Sequence, residues 1–262
     1  MIFDMHCHTR EGSCDAIVSI EETILKLKSK GYNGMVVTDH NSYNGYKSVN
    51  VKPDDFLVLK GIEYDSLDSG HLLIILPHKI NYSIFEYRGM KGQDVIDIVH
   101  KLGGIIGPAH PYDYFKLGVC NTKFKDNYDY LSQFDFIETF NGSLNAQTHI
   151  EAEHLARKLD KPCTGGSDSH SIFKVGFGQT IVDGDIQSED DLIDVIKNGH
   201  FMTLEATGSF VNRKSIKLHN MSVEFGGFCY NMLNHCLPRV SKKHVSELKE
   251  LIDELKDSDC AF

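Results

Sequence analysis

The sequence has no tryptophan, only six prolines and a shortage of positive charge. Its longest apolar run, near residues 72–77, is far shorter than the roughly 20 residues that span a bilayer. The 27 Lys and Arg are outnumbered by 37 Asp and Glu, which gives a formal net charge of −10. This balance argues against a protein that wraps broadly around nucleic acid or lies on an anionic membrane, but it allows a local phosphate site.

The cysteine pattern excludes two other classes of protein. The seven cysteines contain no zinc-type Cys-x-x-Cys pair, and their odd number favours reduced thiols over a disulfide framework. The first residues, MIFDMHCH, lack the basic and apolar regions of a secretory signal. With 41% hydrophobic and 24% charged residues, the composition is that of a globular chain. We therefore expect a soluble, cytoplasmic protein without a membrane partner; its oligomeric state is left open.

Short apolar runs alternate with helical patterns along most of the chain. Strand-like runs occupy residues 2–5, 35–38, 56–63, 72–76, 104–108, 134–140, 162–165, 179–182 and 201–205. Helical patterns occupy residues 19–30, 93–102, 146–159 and 188–198, and Ser19 with Glu22 predicts a capping box at the first helix. Such alternation predicts an α/β fold with a largely parallel sheet, either closed as a barrel or open and doubly wound.

The 14 histidines are the unusual feature, because six of them lie at the ends of predicted strands. His6 and His8 follow the first strand as His-x-His, and residues i and i+2 of an extended segment point to the same side. In parallel α/β folds the carboxyl ends of the strands meet at one face, where ligands bind. Mixed histidine and carboxylate ligands suit zinc, manganese or iron, so the pattern predicts a metal cluster. The residues at strand ends are His6, His8, Asp39, His40, Glu63, His71, His110, Asp168 and His170.

These motifs resemble the PHP (polymerase and histidinol phosphatase) family. The resemblance covers about residues 1–205 and rests on His6-x-His8, Asp39-His40, Glu63, His71, Pro108-Ala109-His110-Pro111 and Asp168-Ser169-His170. It implies a distorted (β/α)7 barrel, similar to a TIM barrel, with a trinuclear metal site at the C-terminal face of the strands. We accordingly expect a barrel domain over residues 1–206. Residues 207–262 would then complete the barrel or pack on it and end in an amphipathic helix, for which a dimer contact is the alternative.

The resemblance also implies nine metal ligands and three divalent ions, with manganese, iron and zinc as the candidates. It adds Asp15, shortly after the His-x-His pair, to the histidines and carboxylates at the strand ends. One ion would take His6, His8, Glu63 and Asp168; a second would take Glu63 as a bridge, with His71 and His110; a third would take Asp15, His40 and His170. Asp39, which precedes a ligand, is expected to orient an imidazole rather than to bind metal.

The function that the resemblance implies is hydrolysis of a small phosphate monoester by a metal-bound water. Nucleotides, sugar phosphates and histidinol phosphate are the substrate types in its range. Arg10 and Asn141 are candidate substrate contacts, with a surface arginine and an Asn-Gly turn as the ordinary alternatives. Two other functions stay open: an exonuclease or phosphoesterase acting on the 5′ ends of short oligonucleotides, and a non-catalytic metal-binding module. The nine filled ligand positions disfavour the module.

Other residues receive less specific expectations. Cys7 should point away from its two histidine neighbours as a buried thiol, and Cys14 is treated likewise. His149 and His154, inside a predicted helix, are expected at the surface. Residues 111–128 interleave aromatic rings with lysines, which favours either a loop that holds a base and a phosphate or a cover over the barrel edge. Residues 78–92 would add a cationic rim.

Overall fold

The computed structural model describes residues 1–49, 55–80, 83–113, 117–198, 205–207 and 240–257 of the chain. Within these ranges the strands are β1 (Ile2–Cys7), β2 (Gly34–Val37), β3 (Leu57–Lys60), β4 (Ile62–Asp65), β5 (His71–Ile75), β6 (Ile105–Pro108), β7 (Ile137–Asn141), β8 (Cys163–Gly166), β9 (Gln179–Ile181) and β10 (Glu205–Thr207). The helices are α1 (Ile20–Ser29), α2 (Asn44–Lys47), α3 (Gly92–Lys101), α4 (Tyr128–Leu131), α5 (Ala146–Leu159), α6 (Glu189–Asn198) and α7 (Lys242–Asp257). The predicted α/β fold is confirmed, although α2 and α4 were not predicted. Residues 201–204 of the last predicted strand lie outside the described ranges.

The first long helix begins where the sequence indicates. The Ser19 hydroxyl accepts a hydrogen bond from the Glu22 amide at 3.2 Å, and the Glu22 carboxylate accepts one from the Ser19 amide at 2.9 Å. This capping box satisfies two backbone donors that would otherwise lack partners in the helix. It fixes the point where the chain leaves the loop that carries Asp15 and enters α1.

The described strands form three sheets, and the closed barrel that the resemblance implies is not seen among them. Their orders are β10-β9-β1-β2-β3, β4-β5-β6 and β7-β8. The strand predicted over residues 56–63 is split at Gly61, where the chain changes from pairing with β2 to pairing with β5. A Cβ atom on Gly61 would lie 2.6 Å from Val36 Cγ1, so this change of partner requires a glycine. Isolated bridges between His40 and Glu63 and between Cys7 and Ser169 connect the sheets.

The sheet is also less parallel than predicted. The pairs β1–β2, β2–β3 and β7–β8 are parallel, whereas β4–β5, β5–β6, β1–β9 and β9–β10 are antiparallel. Residues 66–70 link β4 to β5, and so short a link cannot make the crossover that a parallel pair needs. Because β5 is reversed, its first residue, His71, lies at the same edge as the carboxyl ends of β4 and β6.

An apolar core packs next to the edge at which His71 and the carboxyl ends of β4 and β6 lie. Phe3 and Met5 of β1 pack in one cluster with Val36 of β2, Leu73 of β5 and Phe136, which precedes β7. The register between β1 and β2 shifts after Asp4, and an irregularity of this kind re-aims the side chains of a strand. Beyond the shift, His6 and His8 join the polar edge, while Cys7 packs with side chains of α1.

Helix α7 packs against α3. Val245 is buried in the main core cluster, and Leu248 packs against the same cluster. The Lys249 ammonium lies 2.7 Å from an Asp94 oxygen and 2.8 Å from an Asp97 oxygen of α3. Residues 208–239 and the side chains of Ile252 and Leu255 lie outside the described part of the chain, so the domain boundary after residue 206 stays a prediction. Among the described helices, none combines the length and the apolar character needed to cross a membrane.

Candidate metal centre

The edge formed by the strand ends brings together all nine side chains that the resemblance implies as ligands. Each imidazole has a nitrogen within 4.0 Å of a carboxylate oxygen of the group, and each carboxylate contacts at least one of these imidazoles in the same way. Seven of these side chains are at most 7% exposed; Asp168 and His170 are the most accessible, each at 14%. The nine residues are His6, His8, Asp15, His40, Glu63, His71, His110, Asp168 and His170; we call them the ligand cluster.

Glu63 lies at the middle of the ligand cluster and contacts five imidazoles. Its Oε1 atom lies 2.9 Å from His71 Nδ1 and 2.9 Å from His110 Nε2. Its Oε2 atom lies 3.1 Å from His40 Nδ1, 3.2 Å from His8 Nε2 and 3.4 Å from His6 Nε2. Both oxygens of one carboxylate are therefore directed at separate groups of imidazoles, which is the arrangement that a bridging ligand requires.

Two further carboxylates flank the imidazoles on the accessible side. Asp15 Oδ2 lies 3.3 Å from His170 Nε2 and 3.6 Å from His40 Nε2. Asp168 Oδ1 lies 3.2 Å from His8 Nε2 and 3.6 Å from His6 Nε2. The imidazoles of His8 and His170 stack with their ring centroids 4.1 Å apart. The loop after β1 and the loop after β8 thus close one end of the ligand cluster.

The charges within the ligand cluster shift the pKa values of its members in opposite directions. Burial alone would raise the pKa of Glu63, but His40, His71 and His6 hold it well below its ordinary value. Burial alone would lower the pKa of His6, but Glu138, Asp168 and Glu63 raise it well above its ordinary value. Burial likewise opposes protonation of His110, yet its hydrogen bond to Glu63 and the charge of Glu63 raise its pKa to about 9. The opposite shifts show that the carboxylates and these imidazoles stabilise the charged forms of one another.

The donor set fits divalent ions. Glu63 Oε2 and Asp15 Oδ1 are buried and accept no hydrogen bond from any residue that the structure describes. Buried carboxylate oxygens are costly unless a cation or a donor compensates them. Four groups of three residues each place three ligand atoms within 4.8 Å of one another. The groups are His8, His40 and His170; His6, His8 and Glu63; His40, Asp65 and His71; and Glu63, His71 and His110. Imidazole and carboxylate ligands in such triplets suit zinc, manganese and iron.

Glu138, which the sequence analysis missed, holds two members of the ligand cluster. Its Oε1 atom lies 2.8 Å from His6 Nδ1, and its Oε2 atom accepts hydrogen bonds from the His110 amide at 2.6 Å and from Asn141 Nδ2 at 3.0 Å. With Nδ1 of His6 held as a donor, Nε2 is the nitrogen free to bind an ion. The sequence did carry a signal for this residue: a lone carboxylate in the middle of an apolar strand.

Asp39 acts on the ligand cluster through the loop after β1. Its Oδ1 atom accepts hydrogen bonds from the Thr9 amide at 2.6 Å and from the Ser13 hydroxyl at 3.0 Å. The same Ser13 hydroxyl lies 3.1 Å from His8 Nδ1. A Cβ atom on Gly12 would lie 2.0 Å from Asp39 Oδ2, so only glycine fits there. Asp39 therefore orients the His8 imidazole indirectly, with Ser13 as the intermediate.

Two ligand-cluster residues have left-handed backbone conformations. His110 has φ of 30° and Asp168 has φ of 48°. Such values are uncommon outside glycine and persist where surrounding contacts impose them. The Asp168 amide donates to the His6 carbonyl at 2.7 Å, and the His110 amide donates to Glu138. These hydrogen bonds turn both side chains back towards Glu63.

The two predicted substrate contacts occupy different places. Asn141 is buried, and its Nδ2 atom lies 3.0 Å from Glu138 Oε2 and 3.2 Å from Asp168 Oδ2, at the border of the ligand cluster. The Arg10 side chain is 59% exposed and contacts Glu11 at 3.2 Å, so it lies at the surface of the loop. A cation that the sequence analysis missed, Lys174, lies 3.2 Å from the Ser143 hydroxyl, which in turn donates to the Asp168 carbonyl.

The structure corrects two expectations about residues outside the ligand cluster. His149 is buried rather than at the surface: its Nε2 atom lies 2.9 Å from the Asn141 carbonyl, and its ring packs on Phe140 with centroids 4.3 Å apart. The sequence placed it on a helix but not on the helix face that meets β7. Cys14 is exposed, whereas Cys7 is buried and points away from the ligand cluster, as the alternation along β1 predicts.

The described part of residues 111–128 packs against the rest of the protein. Lys123 lies 2.7 Å from an Asp68 oxygen, and Phe124 stacks on Tyr130 with centroids 3.7 Å apart. These contacts favour a cover over the sheet edge for that part of residues 111–128. Residues 114–116 of this segment lie outside the described ranges. In the other segment, Lys79 and Lys91 are exposed, in keeping with a cationic rim.

Comparisons with known proteins agree with this geometry. A family model described as PHP-associated matches residues 148–201. The fold is similar to that of PsfC from Pseudomonas syringae, with 14% identity, a TM-score of 0.60 and coverage of 87% of this chain and 98% of that one. It is also similar to a two-domain protein from Bacteroides vulgatus that contains a predicted PHP-like metal-dependent phosphoesterase, with 18% identity, a TM-score of 0.55 and coverage of 78% and 64%. Comparison with the curated proteins gives no match.

A third similar structure is a nuclease. The lesion-specific endonuclease PfuEndoQ from Pyrococcus furiosus shares 15% identity and a TM-score of 0.57, with coverage of 80% of this chain and 60% of that one. At these identities the likeness is one of fold. The PHP-associated segment and the PHP-like neighbours together confirm the resemblance inferred from the sequence: residues 148–201 match a PHP-associated model, and the fold is similar to that of PHP-like phosphoesterases.

Proposed function

We propose that this protein is a metal-dependent phosphoesterase that hydrolyses a small phosphate monoester. The observation that carries the proposal is the ligand cluster, in which Glu63 contacts five imidazoles and two more carboxylates flank the accessible side. Divalent ions in such a site lower the pKa of bound water and offset the negative charge of a phosphate. PHP-like phosphoesterases among the similar folds support the same reaction class.

The chain's own residues would bind and orient the substrate. Asp15, Asp168 and His170 form the accessible side of the ligand cluster, so the phosphate would enter there. Lys174, beside Ser143, supplies positive charge near this entrance. Asn141 donates to Glu138 and to Asp168 through Nδ2, so it would hold the Asp168 carboxylate in place there and would contact a substrate only by giving up one of these hydrogen bonds. Arg10 would reach a phosphate oxygen only by leaving Glu11, which costs little at an exposed position.

Finer features of the site belong to the same proposal. We infer three ions of manganese, iron or zinc, which is the number that the resemblance implies. Four overlapping triplets of ligand atoms support a centre with more than one ion. We also infer that the three sheets together approximate an interrupted barrel. The bridges between them and the core cluster shared by β1, β2, β5 and β6 support this inference. A cytoplasmic location remains part of the proposal.

An oligonucleotide is the second candidate substrate, and the fold similarity to PfuEndoQ is the observation that favours it. The net charge of −10 disfavours an extended nucleic-acid track. A short 5′-phosphorylated end would need only the accessible side of the ligand cluster. We therefore place the oligonucleotide second to a small phosphate monoester.

A substrate panel tests the proposal directly. Protein loaded with manganese would be assayed for phosphate release from nucleoside monophosphates, sugar phosphates and histidinol phosphate, and for cleavage of 5′-phosphorylated oligonucleotides. We expect turnover on at least one monoester. Cleavage confined to oligonucleotides would move the second candidate to first place. If protein with its full metal content turns over none of these substrates, the proposal that it is an enzyme of this class is refuted.

Replacing the central carboxylate provides a second test. Glu63→Ala removes the group that faces both sets of imidazoles, so we expect metal content and activity to fall together. Metal content would be measured by elemental analysis after dialysis. A variant that retains the full complement of ions would show that Glu63 does not hold the centre together.

A further inference from the structure

Two exposed apolar side chains flank the accessible side of the ligand cluster. Among the large apolar side chains that the structure describes, the three most exposed are Leu25 and Phe173, each at 68%, and Ile17 at 62%. Ile17 follows Asp15 by two residues, and Phe173 follows His170 by three. Asp15 and His170 meet on the accessible side, where Asp15 Oδ2 lies 3.3 Å from His170 Nε2. Ile17 and Phe173 therefore lie at the entrance through which a substrate would reach the ligand cluster.

Backbone hydrogen bonds fix both residues at this entrance. The Ile17 amide donates to the His170 carbonyl at 2.9 Å, so the loop after β1 and the loop after β8 lie side by side. The Lys174 amide donates to the Ser171 carbonyl at 3.0 Å, which closes a turn around Phe173 directly after His170. Consecutive Cα atoms lie about 3.8 Å apart, so the Phe173 Cα is within about 11 Å of the His170 Cα.

The turn that carries Phe173 is anchored by its other residues. Val175 is fully buried, and Ile172 packs against the same core cluster, which includes the buried side chains of α1. The Lys174 ammonium donates to the Ser143 hydroxyl at 3.2 Å. The core thus accepts the apolar neighbours of Phe173 but not Phe173 itself, whose ring stays exposed to solvent.

The position of the apolar pair gives it significance. An exposed apolar side chain by itself needs no explanation, whereas a pair at the entrance of a polar site marks a surface that a ligand can cover. Small-molecule sites combine apolar and aromatic walls with a few polar groups that fix orientation. The ligand cluster would hold the phosphate, so the apolar pair would contact the group that the phosphate is attached to. A sugar presents hydroxyl groups on most sides, whereas a nucleobase presents a flat face that stacks on an aromatic ring.

Each residue of the apolar pair has a cation as its neighbour. The Arg10 amide donates to the Val18 carbonyl at 2.8 Å, which places the Arg10 backbone next to Ile17, and the Arg10 side chain is 59% exposed. Lys174 follows Phe173 in the same turn. Aromatic and aliphatic surface interleaved with cations suits a ligand that joins a planar base to a phosphate.

We propose that Phe173 and Ile17 form a stacking surface for the base of a nucleoside monophosphate whose phosphate lies at the ligand cluster. The inference rests on the proposed function and narrows its substrate class from phosphate monoesters in general to nucleotides. Phe173 supplies the aromatic face, and Ile17 supplies an aliphatic contact from the neighbouring loop, which its hydrogen bond to His170 holds in place. The surface accepts different bases, because every base has a face that stacks.

The absence of tryptophan from the chain allows a direct binding measurement. Phe173→Trp keeps an aromatic face and introduces a single fluorophore, which a stacked base should quench. We expect adenosine 5′-monophosphate to quench this fluorescence in the metal-loaded variant, and ribose 5-phosphate and inorganic phosphate to leave it unchanged. Leu25→Trp is the matched control, because Leu25 is equally exposed but lies on α1, and its fluorescence should respond to none of the three.

Three results would overturn the proposal. Quenching to the same extent in both variants, or in neither, would show that no base stacks at Phe173. Equal quenching by ribose 5-phosphate would show that the surface does not select a base. Quenching by a 5′-phosphorylated oligonucleotide but not by adenosine 5′-monophosphate would assign the surface to the second candidate substrate.

Steady-state kinetics gives a second readout. In Phe173→Ala the ratio of kcat/KM for adenosine 5′-monophosphate to that for ribose 5-phosphate should fall about 5- to 100-fold, the effect of losing one base–aromatic contact. The loss should appear mainly in KM, because the base lies away from the reacting phosphorus. Circular dichroism would verify that the variant folds, and Leu25→Ala should keep the wild-type ratio. An unchanged ratio in folded Phe173→Ala would refute the stacking role.

These measurements separate this inference from the proposed function. Quenching by adenosine 5′-monophosphate in a protein that hydrolyses none of the tested substrates would refute the phosphoesterase and leave the nucleotide-binding surface standing. Turnover of a sugar phosphate by a protein whose Phe173→Trp fluorescence ignores the nucleotide would do the reverse.

Discussion

The hydrogen bonds of Glu138 lead to a prediction about the protonation of His6. Glu138 is buried, and all its contacts with His6, the His110 amide and Asn141 use carboxylate lone pairs. Glu138→Gln preserves the shape of the side chain but replaces one oxygen with an NH2 group. The amide oxygen would turn towards the two fixed donors, the His110 amide and Asn141 Nδ2, because the opposite orientation loses both hydrogen bonds.

The NH2 group would then face His6 Nδ1, which must become an acceptor. The ring proton moves to Nε2, the nitrogen that lies near His8, Glu63 and Asp168, and a protonated nitrogen cannot bind an ion. Changes of this kind next to metal-binding histidines weaken metal affinity about 10–100-fold, which corresponds to about 1.4–2.8 kcal/mol. We therefore expect the ion held by His6 to bind weaker by that factor.

Chelator competition with zinc or manganese would measure the affinity of each variant. Glu153→Gln is the control, because Glu153 lies on the exposed face of α5 and pairs with Arg157, away from the ligand cluster. We expect a weaker metal affinity in Glu138→Gln and an unchanged metal affinity in Glu153→Gln, with both variants folded. If Glu138→Gln binds every ion as tightly as the wild type, Glu138 does not set the protonation of His6, and the reasoning fails.

Three further predictions concern stability. Burial lowers the pKa of His149, so this residue makes the metal-free protein less stable as the pH falls below about 6.5, whereas the ligand-cluster histidines with raised pKa values contribute in the opposite direction. His149→Gln removes the destabilising contribution, so between pH 7 and 5 urea denaturation should show a smaller loss, or a larger gain, of stability than in the wild type; equal slopes would contradict it. Val245→Ala removes two buried carbons between α7 and α3 and should cost about 1.5 kcal/mol in the free energy of unfolding. Lys249→Ala should cost less than about 1 kcal/mol, and its effect should vanish in 1 M salt, whereas that of Val245→Ala should persist.

The strand-end members of the ligand cluster were named from residue type and position, whereas Asp15 was implied only by the resemblance. The structure places the nine side chains together, and their binding of metal stays a prediction. Histidines at the ends of predicted strands can be recognised in the sequence as candidate ligands, and the structure places all six of them together. His71 shows the limit of the pattern. It opens a strand, and in the parallel sheet that we predicted it would lie at the wrong edge. Only the short link between β4 and β5, which reverses the strand, explains why it joins the others.

Residues that act on the ligands were harder to predict. Glu138 follows no motif, and its role depends on which ring nitrogen His6 presents, a property that emerges only when separate strands are brought together. The buried position of His149 depends in the same way on which face of α5 meets β7. A closed barrel is not seen among the described strands, and one reason is local: at Gly61 the chain changes pairing partner, and the ladder of hydrogen bonds is interrupted.

The pairing of the two ends of the ligand cluster has a consequence for folding kinetics. His6 and Asp168 meet through a backbone hydrogen bond, and the chain between them includes most of the sheets. Contacts of such high contact order form late, after the entropy of closing a long loop has been overcome. Ions that need both ends cannot bind before that point, so they cannot act as a nucleus. Added metal should therefore leave the refolding rate almost unchanged and slow unfolding instead, making the bound ions a source of kinetic persistence for the finished protein.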